Sequence, residues 1–404
     1  MSTSLLYHGF GVRGYRYVKT DYEGGAMIFT IEQGRESYRC PACGSEDVIG
    51  RGQTRRRFRM VPVGSKPVLL AFAVPRVECR DCGVVRQVSI AFADPRRTYT
   101  KSFERYALEL SAMMTIQDVA QHLQVGWDIV KDIQKRYLTR RFSKPRLLDV
   151  RRIAIDEISI GKGHRYLTVV LDLDSGAVVH VGQGKGGEAL RAFWKRLRSS
   201  GAKVEAVATD MSPAYMDAVS SNLPKATLVF DRFHVMKLYN EKLSDLRRDL
   251  HRQLTDSLQK DVLKGVRWLL LKRAENLDPG RNEHARLEEA LRLNAPLATA
   301  YYLKEELGEL WEQEDQPEAV AFLQDWIARA EASGIRMLIN FAKTLRAHAW
   351  GLLAWYHHPI STGPLEGTNH KIKTMKRQAY GFRDQEFFKL KILGIHETKY
   401  ALVG

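Results

Sequence analysis

The sequence predicts a multidomain chain of the α/β class. Two Cys-x-x-Cys pairs lie in its amino-terminal part, at Cys40/Cys43 and Cys79/Cys82. Beyond residue 150, three β-rich runs precede a helical segment and a further β-rich run. Residues 239–355 have helical periodicity almost throughout. With 404 residues, the chain is long enough for several domains, each with its own core.

The cysteine pairs predict a zinc ribbon in residues 1–95. Cys40, Cys43, Cys79 and Cys82 together supply the four thiolates of a tetrahedral structural zinc site. A glycine follows each pair and allows backbone amides to turn toward the sulfurs. The interval between the pairs has room for a β-hairpin. The alternative is redox-active or idle thiols, because a disulfide framework is not expected in a chain of this length and type.

Five arginines lie between the cysteine pairs with no acidic residue among them: Arg51, Arg55, Arg56, Arg57 and Arg59. On a hairpin, such a cluster would follow nucleic-acid phosphates and contribute affinity rather than sequence recognition. The alternative is a solvated loop, which is a common role of charge runs.

Residues 96–142 have a pattern typical of a helix-turn-helix. Apolar residues recur at helical spacing before and after a turn that is predicted at Val125-Gly126. The second helix would present Trp127, Lys131 and Lys135 to the major groove of DNA. A helical hairpin with a structural role has the same pattern, so that alternative stays open. Arg140 and Arg141 would add phosphate contacts, and residues 143–150 are predicted to be a basic linker.

The segment 151–238 carries an acid in an unusual place. Asp156 lies in the middle of an apolar, β-branched run, where a carboxylate is costly unless it is paired or binds a cation. Three β-rich runs, a helix and a fourth run that ends on Asp210 follow the order of the ribonuclease-H-like nucleotidyl transferase fold. In that fold the first and fourth strands are neighbours, so both aspartates would face one metal site. Glu157 competes with Asp156, but strand alternation places it on the opposite face.

A third carboxylate is expected from a helix after residue 355. Glu366 begins a basic helical segment that contains Lys371, Lys373, Lys376 and Arg377, which would hold a phosphate backbone. Residues 239–355 are then an α-helical insertion, and residues 356–404 form the second part of the catalytic domain. Both acids have alternatives, because Asp210 would also serve as a helix cap and Glu366 as an ordinary first-turn acid.

Asp231 ends the next predicted strand, Ala226–Asp231, and His234 lies where a long helix begins. One interpretation is that they support the metal site by tuning a ligand or contacting the phosphate. The other is a helix cap followed by a packed histidine.

Several motifs together resemble the ISL3 family of bacterial insertion-sequence transposases. They are the strand Ile155-Asp-Glu157, the segments Thr209-Asp-Met-Ser-Pro-Ala-Tyr215 and Val229-Phe-Asp-Arg-Phe-His-Val235, and Gly363-Pro-Leu-Glu-Gly-Thr-Asn-His-Lys-Ile-Lys373. The resemblance covers nearly the whole chain and implies a DDE catalytic triad of Asp156, Asp210 and Glu366. It implies two Mg²⁺ or Mn²⁺ ions, terminal inverted repeats as the binding sites, and joining of the cut ends to target DNA.

The strongly positive net charge of the chain indicates a polyanionic partner such as nucleic acid. The formal net charge is +16 and the pI is about 9.6. No apolar run is long enough for a membrane helix and the amino terminus lacks a secretory pattern, so we expect a cytoplasmic, nucleoid-associated bacterial protein. Since two DNA ends are cut and joined together, we expect a homodimer on double-stranded DNA. The alternatives are a DNA-binding regulator, an inactive transposase remnant, or a ribonuclease-H-like nuclease.

Overall fold

The computed structural model describes residues 5–161 and 163–396, which form two compact units. The first unit holds the chain up to Ser143 and from Thr374 onward. The second unit holds Lys144–Lys373.

The first unit is built on a mixed sheet. Its elements before the helical module are α1 (Leu5–Phe10), β1 (Arg16–Glu23), β2 (Ala26–Glu32), β3 (Val48–Val63), β4 (Lys66–Cys79) and β5 (Val85–Gln87). The strand order is β1-β2-β4-β3, with β5 also paired to β4. Every second residue of β4 from Val68 to Val74 is buried, because alternate side chains of a strand point to one face. The expected hairpin between the cysteine pairs is confirmed as β3 and β4.

Three helices follow, namely α2 (Lys101–Leu110), α3 (Ile116–Leu123) and α4 (Trp127–Phe142). Thr115 and Asp118 form a capping box at the start of α3. Gln124 adopts a left-handed conformation after α3, which turns the chain toward α4. Val119, Leu123 and Ile133 are buried in a core shared by these helices. The predicted two-helix arrangement and its turn are confirmed.

The second unit contains a five-stranded sheet in the described part of the chain. Its elements are β6 (Arg152–Gly161), β7 (Arg165–Asp172), β8 (Val178–Gln183), α5 (Gly187–Ser200), β9 (Ala206–Thr209), α6 (Pro213–Asn222) and β10 (Thr227–Phe230). The order is β10-β9-β6-β7-β8, with β6, β7 and β8 antiparallel and β6, β9 and β10 parallel. The predicted meander, helix and fourth strand are confirmed, and that fourth strand lies beside the first.

Helices make up the rest of this unit. They are α7 (Arg232–Gln253), α8 (Ser257–Gly265), α9 (Glu283–Leu293), α10 (Ala295–Leu307), α11 (Gln316–Ala332), α12 (Arg336–Leu353) and α13 (Gly363–Gln378). Short 3₁₀ helices connect them, for example Leu269–Leu271 and Ala354–Tyr356. The fully buried Trp326 and Tyr239 are part of one apolar core with the sheet residues Ile155 and Phe230.

Two predicted segments are divided differently by the structure. The boundary between the units falls inside α13, and the last helix, α14 (Gln385–Leu393), belongs to the first unit. There Phe387 and Leu390 of α14 pack on Leu138 and Phe142 of α4, because both helices carry an apolar face. In the predicted linker 143–150, Leu147 and Val150 are buried in the core of the second unit. No helix among the described residues is both long and apolar enough to cross a membrane.

Candidate active site

Three aspartates lie level with one another on three neighbouring parallel strands, Asp156 in the middle of β6 and Asp210 and Asp231 directly after the ends of β9 and β10. The pairing of Ala154 with Ala208 is an offset of 54 positions, which places Asp210 beside Asp156. The pairing of Thr209 with Phe230 is an offset of 21, which places Asp231 beside Asp210. Neighbouring strands are about 4.8 Å apart, so the three acids lie side by side. The sequence analysis expected Asp156, in the middle of its strand, and Asp210, at the end of its strand, to face one metal site. It placed Asp231 at a strand end near that site, but not in this common register.

Asp156 is mostly buried, with 15% of its side chain exposed. Its Oδ1 accepts a hydrogen bond from the backbone N–H of Glu157 at 2.7 Å, and its Oδ2 accepts one from Asn369 Nδ2 at 2.8 Å. Burial raises the pKa of Asp156, and the neighbouring carboxylate of Asp210 raises it further. A carboxylate in this position is stabilised by a cation.

Glu157 and Asp210 have separate environments. The hydroxyl of Tyr215 donates to Glu157 Oε2 at 3.3 Å, so this acid is engaged by a side chain of α6. Asp210 Oδ1 accepts from the backbone N–H of Ser212 at 3.0 Å, which stabilises the start of α6. Ser212, and not Asp210, is the N-cap residue of α6, and no side chain caps that helix, so the capping alternative for Asp210 is wrong. The metal-binding role of Asp210 stays a prediction.

Asp231 connects the sheet to the beginning of α13. Its carboxylate accepts hydrogen bonds from the backbone N–H of Thr362 at 3.2 Å and from the Thr362 hydroxyl at 2.8 Å. Asp231 is 2% exposed. Burial alone would raise the pKa of this carboxyl, but His234 and the Thr362 donors outweigh it and lower the pKa below its usual value. An ionised, buried carboxylate thus holds the residue that precedes α13.

His234 stands between two of the aspartates. Its Nδ1 is 3.5 Å from Asp231 Oδ2 and its Nε2 is 3.9 Å from Asp156 Oδ1. Burial alone would lower the pKa of His234, but Asp231, Asp156 and Asp210 outweigh burial and raise that pKa. These distances are compatible with both interpretations of His234, support of a metal site and a packed histidine beside Asp156 and Asp231.

Glu366 lies in the first turn of α13, and its backbone N–H bonds to the carbonyl of Thr362 at 2.8 Å. Asn369, three positions later, contacts Asp156. Residues three apart share one face of a helix, so Glu366 lies on the face of α13 that meets the aspartates. Asn369 and Thr362 were missed by the sequence analysis, although the spacing from Glu366 to Asn369 was a usable signal.

The carboxylates of Asp156, Asp210 and Glu366 are the type of ligand that a hard divalent cation binds, although they do not form a tight cluster. Oxygen atoms are the ligands that such ions prefer, and the buried Oδ1 of Asn369, the residue that contacts Asp156, has no hydrogen-bond partner. The carboxylates of Asp156, Asp210 and Glu366 are not all within 4.8 Å of one another. Over residues 5–161 and 163–396, only the four cysteines form a group that close.

The cysteine cluster joins the two ends of the β3–β4 hairpin, because Val48 at the start of β3 pairs with Cys79 at the end of β4. The Sγ atoms of Cys40 and Cys82 are 3.6 Å apart, as are those of Cys43 and Cys79. Backbone N–H groups of Cys43 and Ala42 lower the pKa of Cys40 to about 6. A backbone hydrogen bond at Ser45 favours the Cys43 thiolate, but the neighbouring sulfurs outweigh it and raise the pKa of Cys43 to about 12. Four thiolates this close require a cation, which fits a structural zinc ion.

The predicted arginine cluster is on β3. Arg51 pairs with Glu78 at 2.5 Å and Arg57 with Glu23 at 2.8 Å. Arg56 and Arg59 donate to the carbonyls of Arg97 and Leu123. Arg55 is exposed. Most of these arginines therefore have a structural contact as well as a surface position.

The predicted contacts of the second helix also have internal partners. Trp127 is 55% exposed at the start of α4. Lys131 and Lys135 contact Asp384 at 3.0 and 3.2 Å. The sequence analysis had expected both lysines on an exposed helix face and did not predict these ion pairs. The remaining predicted phosphate contacts are the exposed Arg140 and Arg141 at the end of α4 and the basic residues of α13, Lys371, Lys373, Lys376 and Arg377.

Comparison with known families decides the identity of the chain. A family model described as a transposase, the DDE domain of the ISL3 type, matches residues 153–392. The chain belongs to the ISL3 family of transposases. A model of the helix-turn-helix domain of transposase family ISL3 matches residues 88–138. A model of the zinc finger of the IS204/IS1001/IS1096/IS1165 transposases matches residues 36–82.

Relatives of this ISL3-family chain are insertion-sequence transposases. The transposase for insertion sequence element IS1001 of Bordetella parapertussis is 34% identical over 389 residues, covering 96% of this chain and 95% of the relative. The transposase for IS1557 of Mycobacterium tuberculosis is 27% identical over 421 residues, covering 97% and 94%. The chain is a DNA transposase of an insertion sequence, and its helix-turn-helix and zinc-ribbon modules are those of its family.

A solved structure, the Drosophila P element transposase strand transfer complex, is 10% identical. The alignment covers 76% of this chain and 94% of that chain with a TM-score of 0.39, which is too slight a likeness to establish a common fold.

Proposed function

We propose that the second unit is a ribonuclease-H-like catalytic domain that cleaves DNA at the terminal inverted repeats and transfers the 3′-hydroxyl ends to target DNA. The observation that carries the proposal is the row of Asp156, Asp210 and Asp231 in one register, with α13 connected to it through Thr362 and Asn369. In this proposal the helices from residue 239 to residue 355 are an insertion between β10 and α13.

Asp156, Asp210 and Glu366 would hold two Mg²⁺ or Mn²⁺ ions. Bound there, the ions would activate water or a 3′-hydroxyl and stabilise the departing 3′-oxygen. Asp231 would keep α13 in place through Thr362, and Asn369 would orient the carboxylate of Asp156. His234, between Asp156 and Asp231, would balance the negative charge at the acid row.

DNA contacts are assigned to the basic residues of β3, α4 and α13. Arg55, Arg140 and Arg141 would contact phosphates, while Trp127 at the start of α4 would reach base edges. The zinc ion at the cysteine cluster would be structural. A homodimer is proposed because two transposon ends have to be cut and joined in one complex.

The test is cleavage and strand transfer with Mg²⁺ on DNA that carries the element's own ends. Wild type is compared with Asp156→Asn, Asp210→Asn and Glu366→Gln. We expect all three variants to bind the ends and to lose both reactions, because each removes a cation ligand. Asp217→Asn is the matched control, since Asp217 is an exposed acid of α6 in the same unit.

Other outcomes separate the competing functions. If the three variants cut as well as wild type, the catalytic assignment is wrong. If wild type binds the ends tightly without cutting, a DNA-binding regulator or an inactive remnant is the better description. If it cuts but never joins ends to a target, the chain acts as a nuclease.

A further inference from the structure

The first unit contains an open cleft of about 790 Å³ beside the start of α4. Its walls come from the beginning of α3, from Trp127 and Lys131 of α4, and from the segment 378–384 between α13 and α14. A cavity of this size is within the range of about 300–1,000 Å³ that is typical of sites for small organic molecules. The cleft therefore has room for a nucleotide.

Two large aromatic side chains border this cleft without being buried. Trp127 is 55% exposed, and Tyr380 is fully exposed at 101%. Tyr380 also has a φ of +50°, a left-handed conformation that bulky residues rarely adopt. Neither burial nor backbone preference accounts for a tyrosine at this position, so its ring is available to a ligand.

The charges at the cleft favour an anionic ligand. Lys131 and Arg383 line it together with Asp384. Asp384 is already engaged by Lys131 at 3.0 Å and by Lys135 at 3.2 Å, so its negative charge is compensated within the unit. The basic side chain of Arg377 precedes the segment on α13. Because Lys131 is paired with Asp384, Arg383 supplies the remaining positive charge that lines the cleft. Aromatic rings beside such a cation are the combination that binds single-stranded nucleic acid.

We infer that this cleft binds an unpaired nucleotide of the DNA, whose base stacks on Tyr380. The inference rests on the proposed DNA-binding function and adds a single-strand subsite to it. The first residues of the second helix in a helix-turn-helix are next to the bases. A base inside a duplex exposes only its edges, whereas an unpaired base offers its face for stacking. The occupant is therefore a base outside the double helix.

The experiment compares two DNA probes with the full-length protein. One is a short blunt duplex of mixed sequence, and the other is the same duplex with a short unpaired thymidine tail. Fluorescence anisotropy at one fixed salt concentration gives both affinities. We expect wild type to bind the tailed probe about fivefold to a hundredfold more tightly. Tyr380→Ala should lose this preference and keep its affinity for the blunt duplex, while Tyr380→Phe should retain the preference.

Trp268→Ala is the matched control, because Trp268 is 65% exposed but belongs to the second unit. It should behave as wild type. Equal binding of both probes by wild type, or a tail preference that survives in Tyr380→Ala, overturns the inference. If wild type binds neither probe, the proposed DNA binding fails as well, and that result is distinct from loss of the tail preference alone.

Discussion

The carboxylate of Asp231 and the side chain of Thr362 form a buried hydrogen bond of 2.8 Å although 131 positions separate them. The helical segment 232–361 lies between these two residues, so the contact brings its two ends together beside β10. The residue that ends β10 thereby fixes the residue that precedes α13. Because α13 carries Glu366 and Asn369, the contact also places these two residues relative to β10.

Thr362→Val should reduce cleavage strongly while DNA binding is retained. Valine has nearly the shape of threonine but removes the hydroxyl that donates to Asp231 Oδ2, at a cost of about 1–3 kcal/mol. The beginning of α13 would then shift relative to the aspartates. Cleavage rate and end binding are measured separately. Thr362→Ser restores the hydroxyl and should recover most of the rate, and an unimpaired Thr362→Val would remove the positioning role.

Asn369→Ala should raise the Mg²⁺ concentration needed for half-maximal cleavage by about 10–100-fold, the usual effect of losing a partner of a metal ligand. Its amide holds Asp156 Oδ2 at 2.8 Å, so without it the carboxylate is free to rotate. Titrating Mg²⁺ in the cleavage assay measures the effect. The neighbouring exposed His370→Ala is the control, and an unchanged Mg²⁺ requirement in Asn369→Ala would contradict the assignment.

The sequence could predict those parts of the site that violate a local preference. An acid within an apolar strand identified Asp156, and the cysteine spacing identified the zinc cluster. Contacts between distant residues left no such trace. Asn369 contacts Asp156 across 213 positions, and no local pattern pairs these two residues. The spacing of Asn369 from Glu366 was the one usable signal, and it indicates only a shared helix face.

The common register of the three aspartates could not be predicted from local sequence either, because the pairing offset between strands depends on where each strand begins. The same limit applies to α4. The helical periodicity correctly identified the buried face of α4. It could not show that another part of the chain contacts the opposite face. Here α14 and the residues before it bring Asp384 to Lys131 and Lys135.

Replacing Cys79 by serine should abolish zinc binding and lower the melting temperature of the chain. Cys79 is buried, and its loss leaves three sulfurs for an ion that takes four ligands. The purified wild type should contain about one zinc per chain by elemental analysis. Wild type that folds normally after complete removal of zinc by a chelator would show that the metal is not structural.

Arg55→Ala should weaken binding to duplex DNA of any sequence and lower the slope of log K against log salt by about 1. Arg55 is exposed on β3, whereas Arg57 is paired with Glu23. Arg57→Ala should therefore have the smaller effect. The two slopes are obtained from affinities over a series of salt concentrations, and identical slopes for Arg55→Ala and wild type would exclude a phosphate contact.

Asp384→Asn should destabilise the chain at neutral pH by roughly 1 kcal/mol, the order expected of two partly buried ion pairs. Burial alone would raise the pKa of Asp384, but the backbone N–H of Phe387 and the two lysines outweigh it and lower that pKa far below its usual range. Asparagine keeps the capping contact to Phe387 but loses the charge.

The pH dependence of this difference follows from the direction of the shift. A carboxyl with a lowered pKa in the folded state contributes stability above its unfolded pKa of about 3.9, and this stability is lost as the pH falls through the folded value. The melting temperatures of wild type and Asp384→Asn should therefore differ most at neutral pH and converge as the pH falls well below about 4. Asp217→Asn, at an exposed position, should follow wild type throughout. A difference that stays constant over this range would mean that the Asp384 charge does not connect α14 to α4.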